Sequence, residues 1–65
     1  MYFNIFAEMA RKQLNEQSMS ELMGIPQRLL SAKLNNKSKL TVYDIFKMQK
    51  IFNKANCTFE YLIKK

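Results

Sequence analysis

From Pro26 to Tyr43 the chain carries four basic residues, Arg28, Lys33, Lys37 and Lys39, and no acidic one. Among them stand Gln27, Ser31 and Asn35, whose side chains both donate and accept hydrogen bonds. This is the strongest local charge bias in the sequence, and a segment of this kind attracts polyanions. The whole chain leans the same way, with 11 basic against 5 acidic residues among 65 and a net charge of +6. DNA, RNA, anionic lipid and acidic protein all fit that charge, so the choice among them has to come from where the charges are placed.

Catalytic chemistry has little to work with. There is no histidine, which removes imidazole acid–base chemistry and histidine metal ligands. The acids Glu8, Glu16, Glu21, Asp44 and Glu60 are scattered without a paired-carboxylate pattern. One glycine cannot build a phosphate-cradling loop. Met19, Met23 and Met48 fall at helical spacing and read as core filler. Cys57 occupies an apolar slot and reads as a buried, inert thiol. No enzymatic activity, metal, cofactor or small-molecule ligand is therefore expected.

The single cysteine excludes an internal disulfide, and no signal-peptide pattern opens the chain, so an intracellular protein is expected. No apolar run approaches the roughly 20 residues a membrane span needs, and no membrane association is expected.

Something must position the basic segment. With 65 residues the chain has room for one domain, 1–65, and 48% hydrophobic residues are enough for one core. No stretch alternates with period two, so the chain reads as all-α. A first helix is predicted over about Tyr2–Gln13, with Phe6, Met9, Ala10 and Gln13-Leu14 at helical spacing. Asn15 is a candidate cap for a second helix, Glu16–Met23, whose apolar face would be Met19, Leu22 and Met23. Gly24 supplies the freedom for a positive φ, and Pro26 suits the first position of a third helix, Pro26–Leu34. Asn35-Asn36 would end it, since Asn tolerates the left-handed region. Thr41, with Asp44 three residues on, caps a fourth helix ending near Asn56; its apolar positions are Ile45, Met48, Ile51 and Phe52. Thr58 caps a short fifth helix returning Phe59, Leu62 and Ile63 to the core. Phe59, Tyr61 and Ile63 exceed what that helix needs inside, which marks a candidate dimer surface.

Two of these helices are separated only by the turn Met23-Gly24-Ile25-Pro26-Gln27, a helix-turn-helix arrangement. Leu14 to Lys37 resembles the Cro/CI-type (XRE-like) helix-turn-helix of phage and bacterial repressors. The likeness is carried by Leu14, Met19, Ser20, Met23, Gly24, Ile25, Gln27, Leu30, Ser31, Leu34, Asn35 and Lys37. Thr41–Phe52 and Cys57–Ile63 resemble that family's fourth and fifth helices. The resemblance implies a lambda-repressor-like five-helix domain. Within it Ser20 is small where helices cross, Ile25 plugs the crevice between them, and Leu30 anchors the third helix from below. It implies that Gln27, Arg28, Ser31 and Ala32 face the major groove and read bases, and that Gln17, Asn35, Lys37 and Lys39 lie near phosphates. Arg suits guanine, Gln adenine, and the Ala32 methyl a thymine methyl.

The function expected on that resemblance is sequence-specific double-stranded DNA binding by a Cro-like or small repressor-like transcription regulator. It would act in the cytoplasm of a bacterial cell or phage-infected host. A homodimer on a pseudo-palindromic operator follows, with half-sites about 34 Å apart. Three positions depart from the family pattern: Glu16 stands where a phosphate-contacting Gln is common, Lys33 where an apolar residue is common, and Asn36 where glycine is. The connection Asn53–Asn56 is also longer than usual. Glu16 and the aromatic C-terminal segment keep a second class in view, a protein-binding helix-turn-helix module such as a phage inhibitor or antirepressor.

Overall fold

Side-chain caps and left-handed residues punctuate this chain. In the computed structural model, which describes residues 1–64, they delimit five α-helices: α1 (Phe3–Arg11), α2 (Glu16–Met23), α3 (Gln27–Leu34), α4 (Val42–Phe52) and α5 (Phe59–Ile63). No strand occurs among the described residues. The domain is all-α, with α2 and α3 forming the helix-turn-helix.

Three helices begin on the polar side chains expected to cap them. The Asn15 side-chain oxygen accepts from the Ser18 backbone N–H at 2.8 Å, and the Thr58 hydroxyl accepts from Tyr61 N–H at 3.2 Å. Thr41 and Asp44 form a reciprocal capping box: Thr41 Oγ1 accepts from Asp44 N–H, and the Asp44 carboxylate accepts from Thr41 N–H. Pro26 sits one residue earlier than expected. With φ −62° and ψ 144° it is the extended cap residue of α3 rather than its first helical residue.

Three helix ends share one closure. Gln13, Gly24 and Asn36 have φ of 56°, 72° and 63°. After each, an N–H donates back to a carbonyl five residues earlier: Leu14 to Met9, Ile25 to Ser20 and Lys37 to Ala32. This is the Schellman pattern, which satisfies carbonyls that the helix itself leaves open. The left-handed Gln13 explains why α1 stops at Arg11 rather than continuing to Gln13. Likewise α4 stops at Phe52, because Asn53 turns left-handed at φ 51°, three residues before the expected stop at Asn56.

The core comprises Ile5, Met9, Met19, Met23, Leu30, Leu34, Ile45, Met48, Phe52, Cys57 and Leu62. Helix α2 packs on α3 and α4, while α5 closes against α1 and α4. Leu14 and Ile25, each directly after a left-handed residue, are half-buried against this core. Ser20 is buried where α2 is crowded, and its hydroxyl donates to the Gln17 carbonyl.

Several expected faces are rotated. In α1 the buried side is Ile5, Glu8 and Met9, and Ala10 is exposed. Leu22 is 57% exposed, because Met19, Ser20 and Met23 already fill the inner arc of α2. Ile63 is exposed at the end of α5, whereas Phe59 and Tyr61 pack partly against the core. Phe3 on α1 is 64% exposed. Among the large apolar side chains that are exposed, three lie on α4 against one on α5: Val42, Tyr43 and Phe46 are 52%, 68% and 52% exposed. These three and Lys50 fall within one quarter-to-third of the helix circumference.

Candidate nucleic-acid interface

The inner side of α3 is spoken for. Leu30 and Leu34 are fully buried, and Lys33, between them on the helix underside, is buried as well. A buried ammonium needs a counter-charge. Lys33 Nζ donates to Asp44 Oδ2 at 2.5 Å, tying α3 to the first turn of α4. Burial pushes the Asp44 carboxyl up, but the Lys33 hydrogen bond and charge and the two Thr41 bonds outweigh it, holding it below its ordinary range. Lys33 thus answers the departure from an apolar residue at that position: it packs inside as an ion-paired lysine. It also leaves the surface charge, and so does Asp44.

With its inner side committed, α3 presents the opposite arc outward. Gln27, Arg28, Ser31 and Ala32 lie together along it and line one open groove with Asn35, Lys37 and Glu16. All four expected base-reading residues are therefore gathered on one face, with two of the four expected phosphate contacts. Lys39 lines an adjoining hollow with Tyr2, Asn36, Lys37, Ser38 and Leu40, so Lys37 bridges the two. Gln17 lines neither; its neighbour Glu16 occupies the end of the groove instead.

The side chains of this face are mostly free. The ion pairs among the described residues are Arg11–Glu8, Lys54–Glu8 and Lys33–Asp44, so Arg28, Lys37 and Lys39 have no acidic partner. Asn35 is the exception to full freedom: its Nδ2 donates to the Ser31 carbonyl at 2.9 Å and helps to finish α3. The groove thus offers an arginine fork, amides, a hydroxyl and a lysine, running from the start of α3 to just past its end. Arginine and amide forks of this kind match the edges of base pairs.

A second cluster, built from both ends of the chain, was missed in the sequence. Glu8 is fully buried. Its Oε2 accepts from Arg11 at 2.6 Å and from the Tyr61 hydroxyl at 2.8 Å, and Lys54 Nζ lies 3.7 Å from Oε1. Burial raises the carboxyl's pKa, but the Tyr61 hydrogen bond and the Arg11 and Lys54 charges more than offset it, leaving it lowered. Burial and the Glu8 charge push the neighbouring Cys57 thiol up. A thiol held protonated is the reverse of an activated nucleophile. The cluster ties α1, the α4–α5 connection and α5 together. The sequence signals for it were Glu8 at the spacing of Ile5 and Met9, which a hydrophobic periodicity count passes over, and Arg11 at i+3 from Glu8.

No group of three His, Cys, Asp or Glu residues is placed to hold a metal ion among the described residues. No helix among them is long and apolar enough to cross a membrane. No protein-family model, curated protein or solved structure matches the chain, so the Cro/CI likeness stands on its residue pattern.

Proposed function

We propose that this chain is a sequence-specific double-stranded DNA-binding transcription regulator of Cro-like or small repressor type, which lays α3 in the major groove. One observation carries the reading. Gln27, Arg28, Ser31, Ala32, Asn35 and Lys37 share a single open face with Glu16, and its cations form no ion pair. Phosphate contacts by Lys37, Lys39 and the Asn35 region would set the register, while Gln27, Arg28 and Ser31 would meet base edges and Ala32 a thymine methyl. One domain reads few base pairs, so a two-fold homodimer on a pseudo-palindrome belongs to the proposal. The setting proposed is the cytoplasm of a bacterial cell or phage-infected host.

The test is a salt titration of binding to DNA flanking the chain's own gene, beside random duplex. Each phosphate contact contributes about −0.9 to the log–log salt slope. A steep slope on both duplexes, with tighter binding to one site, is the expected result. Arg28→Ala should weaken the preferred site by on the order of 1–3 kcal/mol and random DNA by less.

The exposed stripe Val42, Tyr43 and Phe46 favours a second reading, a protein-binding helix-turn-helix module such as a phage inhibitor or antirepressor. A chain with no affinity for either duplex at low salt would turn the conclusion to that reading.

A further inference from the structure

The groove on α3 contains one residue of the wrong sign for a phosphate. Glu16 opens α2, lines the groove with Gln27 and Arg28, and is half-buried there. Its carboxylate takes part in no ion pair or hydrogen bond among the described residues. Other carboxylates in partly or fully buried positions are treated differently: Glu8 and Asp44 are both bonded to cations. Glu16 lies in the first turn of α2, where the helix end favours a negative charge. It is an acceptor-only group pointed at the same surface as the base-reading side chains.

We propose, resting on the DNA-binding reading above, that Glu16 is a specificity residue that selects cytosine. An ionised carboxylate on a polyanion's binding face is repelled by every duplex that offers it no hydrogen-bond donor. In the major groove only cytosine N4 and adenine N6 are donors. Adenine places its N7 acceptor beside N6, which suits an amide that both donates and accepts but repels one oxygen of a carboxylate. Cytosine has no acceptor of its own on that edge, so its amino group is the better partner. Glu16 therefore acts twice: it lowers affinity for DNA in general and returns it where a C·G pair is in register. Gln27 and Arg28, in the same groove, meet the neighbouring adenine and guanine edges.

Selection from randomised duplex, followed by equilibrium binding, tests this with the full chain and with Glu16→Gln, which keeps the shape and removes the charge. The parent chain should fix a C·G pair at one position of each half-site. Glu16→Gln should lose that preference alone, keep the others, and bind random duplex more tightly, so that discrimination at that position falls by about tenfold. Equal tightening of Glu16→Gln on selected and random DNA, with unchanged base preferences, would make Glu16 a plain repeller of phosphate and overturn the inference while leaving DNA binding intact. A parent chain that binds no duplex would overturn both together. Glu16→Ala, which removes acceptor and charge, should reproduce the loss of the cytosine preference; its retention of that preference would also overturn the assignment.

Discussion

The two sides of α3 use the same kinds of residue to opposite ends. On the inner side Lys33 is buried, and its ammonium is bonded to Asp44. On the outer side Arg28 and Lys37 share a groove with Glu16, and none of the three forms an ion pair. Charge inside the protein is paired with opposite charge, even where, as at Glu8 Oε1, no hydrogen bond is made and Lys54 Nζ stands 3.7 Å away, because an unmatched buried ion is expensive. Charge on the groove is left unmatched at little cost to folding, because water serves as the partner until a ligand replaces it. The difference separates residues that hold the fold from residues available for binding, and it does so without reference to any relative.

The largest effect should come from breaking the inner side. Asp44→Ala removes the partner of a buried lysine and half of the α4 capping box together. Removing one member of a buried pair costs on the order of 3–5 kcal/mol. For a domain this small that is a large part of its stability, and thermal unfolding should show a fall in Tm of many degrees or no cooperative transition. Retention of the parent Tm would mean that Lys33 reaches solvent and that the inner and outer sides do not differ as argued.

Acid should loosen the inside next. Asp44 and Glu8 both have carboxyls lowered from their ordinary values of 3.8 and 4.5. Their stabilising contribution is therefore complete above those ordinary values and is lost as pH falls through the lower folded-state values. Protonating Glu8 would also leave Arg11 and Lys54 beside a neutral group. A Tm measured from neutrality down to about pH 3 should stay level at first and then drop. Glu8→Gln should be less stable at neutrality and show a shallower drop. A level profile throughout would place both carboxylates outside the network described.

Most of the fold was legible in the sequence, for a local reason. Asn15, Thr41 and Thr58 cap helices through their own side chains, and Gly24 closes α2 left-handed, so helix starts and the turn follow from residue type. Gln13 was harder to read: a left-handed glutamine has no side-chain signature, and α1 ended two residues early. The rotated face of α1 failed for a different reason. Glu8 counts as polar in a periodicity argument, yet it is buried because Lys54 and Tyr61 arrive from distant positions and join Arg11, one turn along α1, in satisfying it. Long-range compensation of this kind leaves no trace in spacing. The groove was legible in part. Its α3 residues follow from a helix with Leu30 and Leu34 inside, but the exclusion of Gln17 and the entry of Glu16 depend on how α2 crosses α3.

The turn between the two helices allows a smaller cut. Gly24 has φ +72°, and nothing lies within 4 Å of where a Cβ would stand. Gly24→Ala therefore meets no clash and carries only the backbone strain of a left-handed residue, about 1 kcal/mol. Urea unfolding should show a shifted midpoint with an unchanged slope. A loss several times larger would show that the α2–α3 crossing is tighter than the open space around Gly24 indicates.

The smallest expected effect is the one that completes the comparison. Arg28 is exposed and bonded to no acidic group, so the folded chain gains little from it. Arg28→Ala should change unfolding free energy by no more than about 0.5 kcal/mol, the range of surface substitutions away from special features. Removing one cation from a chain of net charge +6 also relieves some self-repulsion, so any shift should lean towards stabilisation. Lys37→Ala should behave alike, except that Lys37 N–H closes α3 through the backbone, which the substitution leaves in place. If both variants keep the parent Tm, any loss of ligand affinity they show belongs to the outer face itself and not to the helix that carries it. A Tm drop comparable to that of Gly24→Ala would mean that these cations pack into the fold, and the two sides of α3 would no longer be distinct.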